Sequence, residues 1–128
     1  MDSIEALKDK SETRIFKAVF PNTTNHYDTL FGGTALHMMD ETSFICATRF
    51  SRKKMVTIST DKIDFKTPIP QGSIVELIAR VTKVGRTSCV VKVDIFMEDM
   101  YSYKRDKAVS GLFTFVAIGD DKKPIPIL

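Results

Sequence analysis

Apolar residues in the second quarter of the chain recur with the spacing of an amphipathic helix. At about 100° per residue, one arc of such a helix collects the mainly apolar positions, which are Leu36, Met39, Asp40, Ser43, Phe44, Cys46, Ala47 and Phe50. The opposite arc carries the polar residues His37, Glu41, Thr42, Thr48 and Arg49. The pattern predicts a helix from Gly33 to about Phe50, with one carboxylate, Asp40, on its apolar side.

Most of the remaining chain alternates between apolar and polar residues, as half-buried strands do. Strands are predicted over residues 14–20, 56–65, 73–84, 89–97 and 108–118, with a bulge near Thr60 and Asp61 where the apolar side changes. Residues 1–12 read as a polar, loosely ordered segment with one helical turn, and residues 120–128 as a proline-containing tail. Residues 13–119 are therefore predicted to form one α+β domain, a long central helix wrapped by a five-stranded antiparallel sheet.

One helix and five strands leave a sheet face and two sheet edges uncovered. Because a free strand edge invites pairing with another chain, we expect a second copy of the protein to extend the sheet. The sequence therefore predicts a homo-oligomer.

Composition narrows the possible partners and compartments. The 128 residues carry a net charge of +3, which suits an anionic small molecule and is too diffuse to indicate nucleic acid. Cys46 and Cys89 lie in apolar segments without metal or redox spacing, as thiols of a reducing compartment do.

No signal segment or membrane-spanning run is evident, so we expect a cytoplasmic protein without a membrane partner. His26 and His37 have no partners at metal-ligand spacing, and no cofactor motif is present, so no metal or cofactor is expected.

Candidate chemistry is concentrated at the start of the predicted helix and at Asp40. Gly32 and Gly33 let backbone amides approach a ligand closely, and the first amides of a helix suit a polarised carbonyl or an anion. A carboxylate on an apolar face lowers stability unless it is paired with another polar group or protonated, and it is otherwise usually retained for a function. Asp40 lies about 10 Å of helical rise from Gly33, which calls for an extended pose or a second subunit if both act on one carbonyl.

Residues 25–33, the Met39-Asp40-Glu41 triplet, Val56-Thr57-Ile58 and the turn at residues 85–88 occur in an order that resembles the hotdog-fold acyl-CoA thioesterases. The resemblance covers residues 14–117. It implies hydrolysis of an acyl-CoA thioester to a free acid and CoA, where coenzyme A belongs to the substrate and is not a cofactor. One departure is Asp28, which stands where many relatives have glycine; aspartate tolerates left-handed backbone better than most residues.

The resemblance also implies roles for individual residues. Asp40 is the catalytic general base or nucleophile, and Asn25, from the opposite subunit, orients water or the thioester. Backbone amides at Gly32 and Gly33 polarise the thioester carbonyl, and the segment Gly85, Arg86, Thr87 and Ser88 approaches the CoA moiety. A homodimer that shares its active sites is implied, and a hexamer built as a trimer of dimers is common in the family.

Two alternatives remain open at the level of sequence. A hotdog dehydratase or hydratase acting on acyl thioesters typically needs a histidine paired with the helix acid, and neither His26 nor His37 is an obvious partner. A non-catalytic module that only binds acyl-CoA has no need of the Asn25 and Asp40 pair. Both are less favoured than a thioesterase.

Overall fold

A computed structural model describes residues 2–128, so Met1 of the predicted N-terminal segment lies outside the described residues. The helices are α1 (Ile4–Ser11) and α2 (Gly32–Ser51), with a short 3-10 turn at Pro21–Thr23. The strands are β1 (Thr13–Ala18), β2 (Lys54–Phe65), β3 (Ile74–Val84), β4 (Ser88–Glu98) and β5 (Arg105–Ile118). All pairings are antiparallel, in the order β1-β3-β4-β5-β2. The predicted α+β architecture, one long helix on a five-stranded antiparallel sheet, is confirmed.

The core lies between α2 and the inner face of the sheet. Alternation in β3 and β4 buries the side chains that the sequence pattern assigns to one face of each strand, and these are Val75, Leu77, Ala79, Val81, Cys89, Val91, Val93 and Ile95. The register places Leu77 opposite Ile95 and Ala79 opposite Val93, so the apolar positions of neighbouring strands coincide. Both cysteines are buried as free thiols. Burial raises the pKa of the Cys46 thiol to about 11 and that of Cys89 to about 12.

The buried face of α2 is rotated from the predicted arc. Its buried positions recur at helical spacing and are Ala35, Met38, Met39, Thr42, Ser43, Cys46, Ala47 and Phe50. Thr42, which the pattern assigns to the polar side, is buried, and its hydroxyl donates to the Met38 carbonyl at 2.7 Å. Phe44, assigned to the apolar side, is 43% exposed, and Leu36 is only half-buried. Asp40 thus lies between the core and an exposed apolar flank.

The N-terminal segment is more ordered than its polar composition suggests. Residues Ile4–Ser11 form two turns instead of one, and the Ser3 hydroxyl caps their start by accepting from the Ala6 amide at 3.1 Å. Arg49 of α2 holds the other end, donating to the carbonyls of Lys10 and Glu12 and to the Thr13 hydroxyl at 2.9–3.1 Å. Arg49, which the helical pattern places on the polar arc, thus has its partners in a segment far away in the sequence.

Strand β2 carries two register shifts against β5, one between Thr57 and Ser59 and one between Asp61 and Asp64. The second coincides with Lys62, whose φ of 52° is left-handed. The sequence predicts one bulge in this region, so the position is confirmed and the number is not. Two one-residue shifts keep Thr57, Thr60 and Phe65 opposite the inner-face residues Phe115, Phe113 and Val109.

The tail crosses the end of the molecule where α2 finishes. Ile127 is buried, its amide donates to the Arg86 carbonyl at 2.8 Å, and its carbonyl accepts from the Ser51 hydroxyl. These contacts join the tail to the β3–β4 turn and to the last turn of α2. As the prolines predict, the tail forms no strand of the sheet, and only an isolated bridge joins Ile118 to Pro124.

Candidate active site

A groove of about 330 Å³ opens between α2 and β2, and we call it the Asp40 groove. Its lining combines an exposed helix flank with β2 and one core aromatic ring, and consists of Gly33, Leu36, His37, Asp40, Thr57, Thr60 and Phe113. Two predicted site residues, Gly33 and Asp40, therefore face the same space although they lie two turns apart. Most of the exposed surface of the lining is apolar. Asp40 is the one carboxylate among the described residues that line the groove.

The Asp40 side chain is half-buried and has one polar partner of its own. Thr57 Oγ1 in β2 donates to Asp40 Oδ1 at 2.9 Å. Asp40 Oδ2 accepts no hydrogen bond from any residue between 2 and 128. The hydrogen bond fixes one carboxylate oxygen and leaves the other free for water or a substrate.

Asn25 lies in the loop before α2 and is locked by its own neighbours. Its side-chain oxygen accepts from the amides of Tyr27 and Thr29 at 2.9 and 3.2 Å and from the Thr29 hydroxyl at 3.1 Å. These donors fix the position of the carboxamide oxygen, whereas the carboxamide NH2 group has no acceptor among residues 2–128 and can donate to a ligand. The loop turns at Asp28, whose φ of 59° is the left-handed geometry that an aspartate tolerates.

Asn25 and Asp40 share no hydrogen bond in the part of the chain that the structure describes, and Asn25 does not line the Asp40 groove. Within one chain, the Asp40 carboxylate therefore lies in the groove, whereas the Asn25 carboxamide lies outside it. This separation is what a site shared between subunits would need.

The start of α2 offers free amides. The Phe31 carbonyl accepts from the Ala35 amide at 2.9 Å, whereas the amides of Gly32, Gly33 and Thr34 have no acceptor among residues 2–128. Within the described part of the chain, no side chain caps this helix end. A Cβ at Gly33 would meet no atom within 4 Å, so its backbone is open to a ligand. The helix dipole places partial positive charge at these amides.

The predicted CoA-contacting turn, residues 85–88, lies at the other end of α2. The Gly85 amide donates to the Ser88 carbonyl at 2.8 Å, and the Arg86 carbonyl is held by Ile127, whose own carbonyl accepts from Ser51 at the last turn of α2. The helix between Gly32 and Ser51 has 20 residues, which corresponds to about 30 Å. In one chain this turn is therefore remote from the helix start.

Sequence patterns did not single out Thr57 or Phe113 as site residues, and they placed His37 on the polar arc of the helix. His37 is indeed exposed, but it also lines the Asp40 groove. The one feature of the sequence that marks Thr57 is its hydroxyl group between two apolar strand residues, Val56 and Ile58. Only the pairing of β2 with β5 decides that it faces the helix.

Comparison with known proteins identifies the family. A family model, the Thioesterase superfamily, matches residues 27–103. An uncharacterised acyl-CoA thioester hydrolase of Zymomonas mobilis is 36% identical over 126 residues, which span 98% of this chain and 85% of that protein. The chain belongs to the thioesterase superfamily. Another superfamily member, an uncharacterised acyl-CoA thioester hydrolase of Bacillus subtilis, is 38% identical over 118 residues, 91% of this chain and 69% of that one.

Solved structures of superfamily members match the fold closely. An acyl-CoA hydrolase from Staphylococcus aureus, solved with butyryl coenzyme A and coenzyme A, has a TM-score of 0.89 at 38% identity, covering 93% of this chain and 73% of its own. A hexameric acyl-CoA thioesterase has a TM-score of 0.90 at 34% identity, covering 93% and 76%. Alanine variants of the staphylococcal enzyme replace one asparagine, one aspartate and one threonine, with the same spacings that separate Asn25, Asp40 and Thr57.

Proposed function

We propose that the protein hydrolyses acyl-CoA thioesters to a carboxylic acid and CoA in the Asp40 groove. It is an acyl-CoA thioester hydrolase of the hotdog fold, the class to which its relatives from two bacteria belong. The observation that carries the site is the Asp40 carboxylate, held by Thr57 at 2.9 Å in a mostly apolar groove that also reaches Gly33. The match in type and spacing with three positions altered in the staphylococcal hydrolase supports the choice of Asn25, Asp40 and Thr57.

The proposed chemistry uses the free oxygen of Asp40 as a general base. A water molecule attacks the thioester carbonyl carbon while Asp40 Oδ2 takes up its proton. The amides of Gly32 and Gly33 of a second subunit stabilise the oxyanion that develops, since in one chain they lie about 10 Å of helical rise from Asp40. These amides have no acceptor of their own among residues 2–128 and lie at the positive end of α2. The carbon–sulfur bond then breaks, and the proton passes from Asp40 to the departing CoA thiolate. Attack by Asp40 itself would instead form a mixed anhydride and release the CoA thiolate, and hydrolysis of that anhydride at the Asp40 carbonyl carbon would place heavy oxygen from solvent in Asp40.

We propose that the working unit is a dimer in which Asn25 of one subunit serves the Asp40 groove of the other. The free edge of β2 supports this arrangement, since Val56 and Ile58 there are 39% and 56% exposed, and Phe44 of α2 is also exposed. In an antiparallel pairing of two β2 edges, the two subunits would run in opposite directions. This pairing would also bring the partner's 85–88 turn toward the helix start, where the CoA moiety leaves the groove.

Assembly beyond the dimer and location in the cell are further parts of the proposal. Hexameric acyl-CoA thioesterases among the structural neighbours support a trimer of dimers. Within residues 2–128 neither helix has the length and apolar character to cross a membrane. A rat relative, 29% identical over 119 residues that make up 31% of its length, is a cytosolic acyl coenzyme A thioester hydrolase. This relative and the two free thiols support the cytoplasm as the site of action.

The test is thiol release from acyl-CoAs by the purified protein and by Asp40→Asn. Removing a general base lowers kcat by about 10²–10⁴-fold, and we expect a loss in that range with the circular dichroism spectrum unchanged. Glu41→Gln is the matched control, since Glu41 is the adjacent exposed carboxylate of α2 and lies outside the groove lining. Turnover by Asp40→Asn within about tenfold of the original protein would contradict the assigned role.

A further inference from the structure

Two cavities follow one another along the inner face of β5. The first is the Asp40 groove, which is lined at this strand by Phe113. The second, of about 140 Å³, lies beneath the start of α2 and is lined mainly by apolar residues, which are Leu30, Ala35, Phe65, Thr67, Pro68, Ile69 and Val109. Residues 109, 111 and 113 point to the same side of β5, so Gly111 is the one inner-face position between the two cavities.

Ile63 occupies the space that Gly111 leaves open. The register shift of β2 between Asp61 and Asp64 leaves two residues, Lys62 and Ile63, opposite Gly111, and the half-buried Ile63 side chain packs against the core there. A Cβ on Gly111 would overlap Ile63 Cδ1 and would lie 3.2 Å from Met39 Cε. The missing side chain at position 111 is therefore what lets Ile63 reach across the inner face.

Ile63 thus fills the inner face at the position between the Asp40 groove and the second cavity, and we call its side chain the partition. On β2 the order is Thr60 in the Asp40 groove, then Ile63, then Phe65 in the second cavity. On β5 the matching order is Phe113, Gly111 and Val109. Met39, immediately before Asp40 in α2, closes the same point from the helix side.

We propose that Ile63 is a specificity-determining residue that ends the acyl pocket and restricts the enzyme to acyl chains short enough to stop at its side chain. The inference rests on the proposed function, because the acyl group is assigned to the Asp40 groove. In this arrangement the thioester lies beside Asp40, and the acyl chain extends between Leu36 and Phe113 toward Ile63. The second cavity then stays empty of substrate unless the partition is reduced.

The experiment measures kcat/KM for a series from acetyl-CoA to palmitoyl-CoA with the original protein, Ile63→Val and Ile63→Ala. Shortening the partition should shift the preferred chain length upward, with the larger shift for Ile63→Ala. One methylene in an apolar pocket changes kcat/KM by about 10–200-fold, so the ratio of long-chain to short-chain kcat/KM should rise at least tenfold in Ile63→Ala. Ile63→Val removes a single methyl group and keeps the test valid if the alanine variant does not fold.

Ile78→Ala is the control. Ile78 is a half-buried isoleucine of β3 between the buried residues Leu77 and Ala79, and so it lies on the outer face of the sheet. Its chain-length profile should match that of the original protein. Folded Ile63 variants with an unchanged profile, or an equal shift in Ile78→Ala, would overturn the partition while leaving the hydrolase intact. If the original protein releases no CoA from any acyl-CoA, the proposed function fails and the partition fails with it.

Discussion

Thr57 Oγ1 donates a 2.9 Å hydrogen bond to Asp40 Oδ1, which links the middle of α2 to strand β2 inside the Asp40 groove. The two residues are far apart in sequence and come together only because β2 pairs with β5 beneath the helix. A hydroxyl that donates to one carboxylate oxygen fixes the rotation of the carboxylate and directs its second oxygen into the groove. Thr57 is therefore a positioning residue for the proposed base.

We predict that Thr57→Val lowers kcat by about 10–100-fold, since a hydrogen bond to a charged group contributes about 1.5–3 kcal/mol. Valine keeps the β-branched shape and removes only the hydroxyl. Thr57→Ser restores the donor and should recover most of the activity. The measurement is steady-state thiol release for the three proteins, and equal activity of the valine and serine variants would show that the hydroxyl has no positioning role.

Much of the scaffold was predictable because it depends on local periodicity. The inner faces of β3 and β4, the central helix and the buried cysteines all follow from alternation of period two or of about 3.6. Other features of the structure depend on contacts between residues that are far apart in the sequence. The second turn of α1 depends on Arg49, and the position of Ile63 depends on the missing side chain of Gly111; neither partner is close in sequence. The family resemblance predicts Asp40 and Asn25 as candidate site residues, whereas the candidacy of Thr57 depends on the pairing of β2 with β5.

Arg49 gives a prediction about stability. Arg49→Ala removes three hydrogen bonds that hold the end of α1 against α2, to Lys10, Glu12 and Thr13. We expect the free energy of unfolding to fall by about 1–3 kcal/mol, because backbone carbonyls lose a charged donor. Urea denaturation measures the change. Lys17→Ala is the control, because Lys17 is exposed and lies on the edge strand β1. This change should alter stability by less than about 0.5 kcal/mol.

The two buried thiols predict a loss of stability at alkaline pH. Burial raises the pKa of Cys46 from its ordinary value of 9.0 to about 11, and burial together with the nearby Cys46 raises that of Cys89 to about 12. Their contribution to stability is complete below pH 9 and is lost as the pH rises through the folded-state values, because the unfolded thiols ionise first. We expect the urea midpoint to fall above pH 9, and less so in the Cys46→Ala and Cys89→Ala double variant.

The same burial predicts slow chemical modification of these thiols. Thiolate is the reactive form, and both groups are fully protonated and enclosed at neutral pH. A chromogenic disulfide reagent should label neither cysteine in the native protein and both after denaturation. Rapid labelling of the folded protein would contradict the raised pKa values.

A site shared between subunits predicts complementation between two inactive variants. Asn25→Ala and Asp40→Asn should each be inactive alone, because every site of either homodimer lacks one group. In a mixed dimer, the Asp40 of the Asn25→Ala subunit faces the Asn25 of the Asp40→Asn subunit, so one of the two sites is complete. Random exchange of subunits should therefore restore about a quarter of the original activity, as a two-fold symmetric dimer requires.

The exchange is made by unfolding the two variants together and refolding them as an equal mixture, with thiol release as the measurement. Each inactive variant refolded alone is the control, and Glu41→Gln refolded alone shows how much activity survives the procedure. Recovery depends on which chain contributes each group and not on how strongly either variant is impaired. A mixture as inactive as its components would place Asn25 and Asp40 in the same subunit's site, in which case the separation of the two residues within one chain would have to close on substrate binding.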